Sequence, residues 1–265
     1  MKTIRSILMT LFAIAVTVAA AMFNSAAHAD DWGTLTGRFV YDGKAPVPAK
    51  ITPDKDVEVC GKHPLNNESL VVADDGGLAN VFVWVRTKDV KAAPEYAATA
   101  NEKVVLDNHD CRFQPHALAI RTTQTLEIKN SDPMGHNTNG ADLKANAPFN
   151  GVIPSGKDED MTLSLGEPFP AKITCNIHPW MNAYLLVRPD PYFAVSGKDG
   201  KFEIKDLPAG TELEFQVWQE KAGNVANTKI DSTKTDNRGR FKYTVKAGAN
   251  DLGDIKLDPS LFNKE

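Results

Sequence analysis

The chain has 265 residues, and 30 Lys and Arg against 34 Asp and Glu give it a formal net charge of −4. A mildly acidic chain without a basic cluster is a poor match for a nucleic-acid partner, whose phosphates attract positive charge. Its length is enough for two small domains or for one large all-β domain.

Residues 1–29 have the pattern of a secretory signal peptide. Lys2 and Arg5 precede an apolar run over residues 7–23, and residues 27–29 read Ala-His-Ala. A basic start, an apolar stretch and a small-x-small end are typical of a cleaved leader. No later apolar run approaches the ~20 residues of a spanning helix. We therefore predict a periplasmic or secreted protein with no membrane span in the mature chain.

The rest of the chain carries short β-rich runs separated by Gly, Pro, Asn and Asp. Apolar and polar residues alternate in residues 202–205 and 213–217, which is typical of strands with one buried face. A short helix is predicted only within residues 92–100. The pattern favours an all-β protein built from sandwiches or barrels. The predicted strands are residues 34–41, 80–86, 103–106, 125–129, 161–165, 183–187, 201–205, 211–218, 240–245 and 252–257.

Three regions follow the predicted leader. Residues 30–101 form an N-terminal β region, and residues 190–265 carry hairpin signals. The middle region, residues 102–189, holds four of the five histidines and two of the three cysteines that remain after the leader. Residues 188–191, Arg-Pro-Asp-Pro, mark the second boundary, because proline interrupts strand pairing.

The strongest chemical signal lies in residues 173–181. Cys175, His178 and Met181 have the spacing Cys-x2-His-x2-Met, and His136 lies 39 residues before Cys175. A short loop between two strands can present all three of its donors to one point. Two imidazoles, a thiolate and a long thioether bond form the ligand set of mononuclear electron-transfer copper sites.

Other interpretations of this motif are weaker. A lone Cys or Met is usually an apolar core residue. Structural zinc sites prefer Cys and His without Met. A Cys–His nucleophile would need an orienting partner and an oxyanion hole, which no pattern marks. The motif therefore favours copper.

The middle region resembles the cupredoxins, the small blue copper proteins with a Greek-key β-sandwich, and its ligand loop is like that of amicyanin or plastocyanin. The resemblance implies one type 1 copper ion. It rests on residues 113–115, 126–130, 136–137, 175–181 and 183–187. The ligands that it implies are His136, Cys175, His178 and Met181.

The resemblance also implies roles beside the metal. Asn137 would tie the two ligand loops together. His178 would be the edge through which electrons pass, and Pro179 and Trp180 would surround it with an apolar rim for docking. His116 is either a strand-start histidine bonded to backbone, an outer group of the copper site or an extra ligand.

The remaining histidines and cysteines lie upstream. Cys60 and Cys111 are the natural disulfide pair, because export favours paired cysteines and copper would hold Cys175. Closing a loop of about fifty residues is worth roughly 3–4 kcal/mol in the chain-entropy model. His63 and His109 are predicted surface residues, although a second metal site with His116 stays open.

The flanks resemble a carboxypeptidase regulatory-like (transthyretin-like) β-sandwich. Residues 195–210 carry an Asp-Gly turn, a Phe-x-Ile strand and a Leu-Pro-x-Gly turn, and residues 33–43 are similar to the first strand of such a module. Either the two ends of the chain form one sandwich with the copper domain inserted, or residues 30–101 pack directly on the copper domain.

The sequence thus predicts an exported type 1 copper protein that passes single electrons to or from a redox protein, and not an enzyme. Its acidic charge favours a partner with basic surface. A copper storage or delivery protein and a non-catalytic binding module on the cell surface are the alternatives.

Overall fold

The structure, a computed structural model, describes residues 31–263, so the predicted signal peptide lies outside the described residues. The described chain is nearly all β, which confirms the predicted fold class. Its helices are α1 (Val57–Cys60) and two 3-10 helices, Pro94–Ala97 and Pro259–Phe262. The first of these 3-10 helices lies within the predicted helical segment. No described helix is long and apolar enough to cross a membrane.

The strands follow one another at short intervals along the chain. They are β1 (Trp32–Tyr41), β2 (Val81–Val85), β3 (Lys103–His109), β4 (Arg112–Gln114), β5 (Ala117–Arg121), β6 (Thr125–Asn130), β7 (His136–Asn139), β8 (Asn150–Ile153), β9 (Asp158–Thr162), β10 (Ala171–Thr174), β11 (Asn182–Arg188), β12 (Phe193–Val195), β13 (Lys201–Pro208), β14 (Glu212–Gln219), β15 (Gly223–Asn224), β16 (Lys229–Ile230), β17 (Thr233–Lys234), β18 (Arg240–Thr244) and β19 (Gly248–Leu257).

Both ends of the chain contribute to one sandwich. Strand β1 lies between β13, to which it is antiparallel, and β19, to which it is parallel. The second sheet has the order β12-β2-β14-β15, with β18 also paired to β14. Alternate residues of β1, including Leu35 and Phe39, enter a core shared with Val83 and Phe215 of the other sheet. The likeness of this sandwich to transthyretin-like modules stays a prediction.

One glycine is required where this sandwich turns between β12 and β13. Gly200 has φ +81, and a Cβ there would collide with the carbonyl oxygen of Phe39. The close approach lets the Phe39 N–H donate to the Gly200 carbonyl at 2.9 Å. Only glycine combines this backbone conformation with that contact.

A second sandwich is made of the strands between Lys103 and Arg188. Its sheets have the orders β5-β11-β10-β7-β8 and β4-β3-β6-β9. Leu106, Phe113 and Ile173 belong to the core between them. These strands lie between β2 and β12 in sequence, so this sandwich is inserted into the first one. The exact domain limits at residues 101 and 189 stay a prediction.

A loop that we call the strap, residues 51–65, is tied to the second sandwich. Its base is closed by the Ile51 N–H, which donates to the Leu65 carbonyl at 3.0 Å. The predicted disulfide joins its Cys60 to Cys111 at the tip of the β3–β4 hairpin, with the Cα atoms 5.6 Å apart. Both cysteines are buried, while Cys175 is free and buried.

Candidate metal centre

Three side chains from two segments of the second sandwich meet at one buried point. His136 begins β7, and Cys175 and His178 lie in the loop between β10 and β11. Their potential ligand atoms all lie within 4.8 Å of one another. The Cys175 Sγ is 3.7 Å from His178 Nδ1, and the two imidazole centroids are 4.5 Å apart. The structure therefore brings together three of the four predicted ligands as a group.

The ligand loop is held at both ends by strand pairing. Thr174 of β10 lies opposite Asn182 of β11, the last and first residues of those strands. Within the loop, the Cys175 N–H donates to the Met181 carbonyl at 3.1 Å, and the Met181 N–H donates to the His178 carbonyl at 2.9 Å. The Met181 side chain is buried in the same apolar cluster as Cys175. The fourth predicted ligand thus lies on the same closed loop.

Asn137 joins the strand of His136 to the ligand loop. Its Oδ1 accepts the N–H groups of Asn176 at 2.7 Å and Ile177 at 3.2 Å, and it lies 3.4 Å from Cys175 Sγ. Its amide nitrogen donates to Asn150 Oδ1 at 2.7 Å. One side chain therefore sets the distance between the two ligand-bearing segments.

We expect Asn137→Ala to loosen this link. The change leaves two backbone N–H groups without their acceptor, and we expect the free energy of unfolding to fall by about 2 kcal/mol. Loss of an orienting contact of this kind typically weakens metal binding by roughly 10–100-fold. Urea unfolding and a copper competition titration measure the two effects.

Asn150→Ala is the matched control for that variant. It removes only the partner of the Asn137 amide nitrogen and leaves the loop contacts in place. Equal copper affinity in Asn137→Ala and Asn150→Ala would contradict the role given to Asn137.

The outer nitrogen of each imidazole meets a carboxylate. His136 Nε2 lies 2.9 Å from Asp132 Oδ2, and His178 Nε2 lies 2.8 Å from Asp56 Oδ2 of the strap. Because an ionised carboxylate only accepts hydrogen bonds, each Nε2 carries a proton, and Nδ1 is the ring nitrogen that would bind a metal ion once it is deprotonated. His136 Nδ1 is buried and has no hydrogen-bond partner among the described residues.

Charge at the centre favours an ionised thiol. Burial raises the pKa of Cys175, but the adjacent imidazoles of His136 and His178 outweigh it and lower that pKa to about 6. For His136 the same burial acts in the opposite direction and lowers the pKa. The Asp132 carboxylate and Cys175 outweigh this effect and raise the pKa of His136 to about 9. Without a metal, the centre therefore holds a thiolate beside an imidazolium at neutral pH.

The donors fit a copper ion. A thiolate is a soft ligand that suits Cu(I), and imidazole nitrogen suits both Cu(I) and Cu(II). The unpartnered Nδ1 of buried His136 is the kind of orphaned polar atom that a metal ion would satisfy. His136, Cys175 and His178 would hold the ion, with Met181 on the same loop.

The other predicted site residues lie elsewhere or have different surroundings. His116 is outside the His–Cys–His group, since its Nε2 pairs with Glu220 Oε2 at 2.6 Å and joins the two sandwiches. His63 and His109 both face Asp110. None of these three histidines belongs to a potential metal-binding group among residues 31–263.

The ring of His178, the predicted edge for electron transfer, is not itself at the surface. It is buried under Asp56, although Pro179 beside it is exposed. Trp180 is half-buried, with its ring 5.2 Å from the His178 ring and its indole N–H donating to the Cys111 carbonyl at 3.1 Å. Asp56 lies on the strap, which the disulfide ties to the second sandwich.

Sequence reasoning missed Asp56 and Asp132. Asp132 lies four residues before His136, but carboxylates near histidines in loops are common and give no distinct signal. Asp56 lies 122 positions before His178, and no local pattern relates the two. Only the folded chain identifies both as partners of the imidazoles.

Comparisons with known proteins give partial structural likenesses. No family model and no curated protein matches the sequence. A copper-containing nitrite reductase (NirK) from Thermus scotoductus SA-01 is similar over 32% of this chain and 22% of its own, with 22% identity and a TM-score of 0.30. A Cu(I) amicyanin mutant is similar over 40% of this chain and 98% of its own, with 19% identity and a TM-score of 0.29.

A second amicyanin mutant, in its reduced Cu(I) form at pH 4, has the same coverage, 19% identity and a TM-score of 0.30. Likeness at this level supports no conclusion about the fold or the function of this chain.

Proposed function

We propose that this protein is an exported mononuclear copper protein that carries single electrons and is not an enzyme. The observation that carries the proposal is the buried convergence of His136, Cys175 and His178, with His136 Nδ1 unpartnered. Bound copper would supply one-electron exchange between Cu(I) and Cu(II). The predicted leader and the disulfide support an oxidising compartment outside the cytoplasm.

The chain supports such a carrier by keeping the donors still. Strand pairing and the internal hydrogen bonds of residues 175–181 hold the ligand loop, and Asn137 holds it against β7. Donors that stay in place when the charge of the ion changes keep the cost of reorganisation low. Burial of all three donors also shields the centre from direct attack by small molecules, whereas an electron can cross a thin protein layer.

The surface beside the centre supports a protein partner. Ile177 and Val57 are exposed apolar residues next to His178 and Asp56 in the chain, and Pro179 is exposed as well. The strap carries Asp54, Asp56 and Glu58 against Lys55 and Lys62, so it has a net charge of −1. We propose that a redox protein with some basic surface docks here, on the strap and the ligand loop together.

Addition of Cu(II) to the metal-free mature protein tests the proposal. We expect one copper per chain, an intense visible thiolate-to-copper absorption, and reversible loss and return of that absorption on reduction and reoxidation. The reversible cycle is the decisive feature, because a carrier has to work in both directions.

Two outcomes would overturn this function. Tight, colourless Cu(I) that does not return to Cu(II) would favour copper storage or delivery. Failure to bind copper would favour a binding module with an inert centre.

A further inference from the structure

Asp56 reaches the copper centre from the strap. Its Oδ2 accepts from His178 Nε2 at 2.8 Å; the imidazole is buried, while the side chain of Asp56 is 44% exposed. Its backbone is left-handed, with φ 43 and ψ 43, and its carbonyl accepts the N–H groups of Val59 and Cys60 at 2.9 Å. The turn that aims this carboxylate is therefore the turn that carries Cys60.

Asp132 binds the other imidazole, that of His136, and also binds the hairpin turn that carries Cys111. Its buried carboxylate accepts from His136 Nε2 at 2.9 Å and from the N–H groups of Asp110 and Cys111, each at 2.8 Å. Asp110 and Cys111 both have positive φ, 55 and 56, in the two-residue turn between β3 and β4. Both positive φ values are those that a two-residue β-hairpin turn requires.

The Cys60–Cys111 disulfide is the common anchor of these two arrangements. It joins the turn that begins at Asp56 to the hairpin tip whose N–H groups Asp132 binds. The Cys111 carbonyl also accepts the indole N–H of Trp180, which contacts His178. One covalent link thus connects the two segments that position the carboxylates of Asp56 and Asp132.

A carboxylate in this position affects a metal ligand in two ways. It fixes the proton on Nε2, so that Nδ1 points its lone pair at the metal, and it makes the ring a stronger donor. Its negative charge also favours the more positive oxidation state of a nearby ion. Asp132 is buried and acts at full strength, whereas solvent and salt weaken the effect of the half-exposed Asp56.

We propose that Asp56 and Asp132 are positioning residues that hold the two imidazoles and lower the reduction potential of the copper centre. This inference rests on the proposed function and concerns the same site. In this view the strap both covers the centre and lowers its reduction potential. The Cys60–Cys111 disulfide keeps both carboxylates in place beside the imidazoles.

Asp56→Asn is the direct test, because it removes the charge and keeps the shape of the side chain. We expect one copper per chain and the visible absorption to be retained. The equilibrium constant for reduction should rise at least tenfold, which for one electron is about 59 mV. Asp56→Glu should restore most of the wild-type potential, and the difference between wild type and Asp56→Asn should shrink in high salt.

Asp54→Asn is the matched control. Asp54 lies two residues earlier on the same exposed stretch and carries the same charge, with no hydrogen bond to an imidazole. Its variant should stay within twofold of the wild-type constant. If Asp56→Asn and Asp54→Asn have the same potential, with the absorption intact in both, the inference is overturned while the proposed function stands.

A measurement on the metal-free protein tests the positioning separately. A proton on His178 Nε2 that is bound to a carboxylate should give a slowly exchanging, downfield signal in the NMR spectrum. We expect Asp56→Ala to abolish this signal and Asp54→Ala to retain it. A signal that survives Asp56→Ala would show that Asp56 does not hold the ring, whatever the protein does with copper.

Discussion

Cys175→Ser is expected to abolish the visible thiolate-to-copper absorption completely. The Cys175 thiol is buried at the meeting point of both imidazoles, and its pKa of about 6 makes it a thiolate at neutral pH. A serine hydroxyl stays protonated there and is a hard donor, so it can replace neither the charge nor the soft sulfur ligand. Visible absorption and copper stoichiometry after addition of Cu(II) measure the change.

His109→Ala is the control for that variant. It removes an imidazole that faces Asp110 outside the His–Cys–His group, and it should keep both the absorption and the stoichiometry. An absorption that persists in Cys175→Ser, or that disappears in His109→Ala, would contradict the assignment of the ligands.

The double variant Cys60→Ala/Cys111→Ala should lose about 4 kcal/mol of stability. The disulfide spans 51 residues, and the chain-entropy model gives about that value for a loop of this length. Alanine suits the two fully buried positions because it introduces no polar atom. The free energy of unfolding from denaturant titration measures the loss.

The same variant should also change the copper centre. Release of the strap frees the turn of Asp56 and the hairpin tip that binds Asp132, so the reduction potential should rise as in Asp56→Asn. Chemically reduced wild-type protein is the control, because it lacks the cross-link and keeps the sulfur atoms. A double variant as stable as the oxidised wild type would show that the link does not brace the fold.

Much of the local structure could be predicted because its causes are local. The alternation in residues 202–205 and 213–217 predicts β13 and β14, and the structure places strands there; residues 202–205 bury alternate side chains, whereas residues 215–217 of β14 are all buried. The Cys-x2-His-x2-Met spacing predicts a loop between two strands, and β10 and β11 enclose it. Each of these predictions depends on residues a few positions apart.

The surroundings of the centre could not be predicted from such patterns. The cupredoxin resemblance makes His178 the edge through which electrons pass, with Pro179 and Trp180 as an apolar rim for docking. The structure buries His178 under Asp56, which arrives from a distant segment through a disulfide. His116 likewise meets Glu220 from the other sandwich, a contact without local signal.

By itself, then, the sequence determined the all-β class, the free Cys175 beside a disulfide pair, and the candidate donors, since side-chain chemistry and short spacing are written directly in it. Only the tertiary structure decided which groups form hydrogen bonds with the two imidazole donors. Asp56 and Asp132 become partners of the two imidazoles because strand pairing and one cross-link bring distant backbone together. Contacts of that kind follow from the packing of the whole chain, and so no short stretch of residues reveals them.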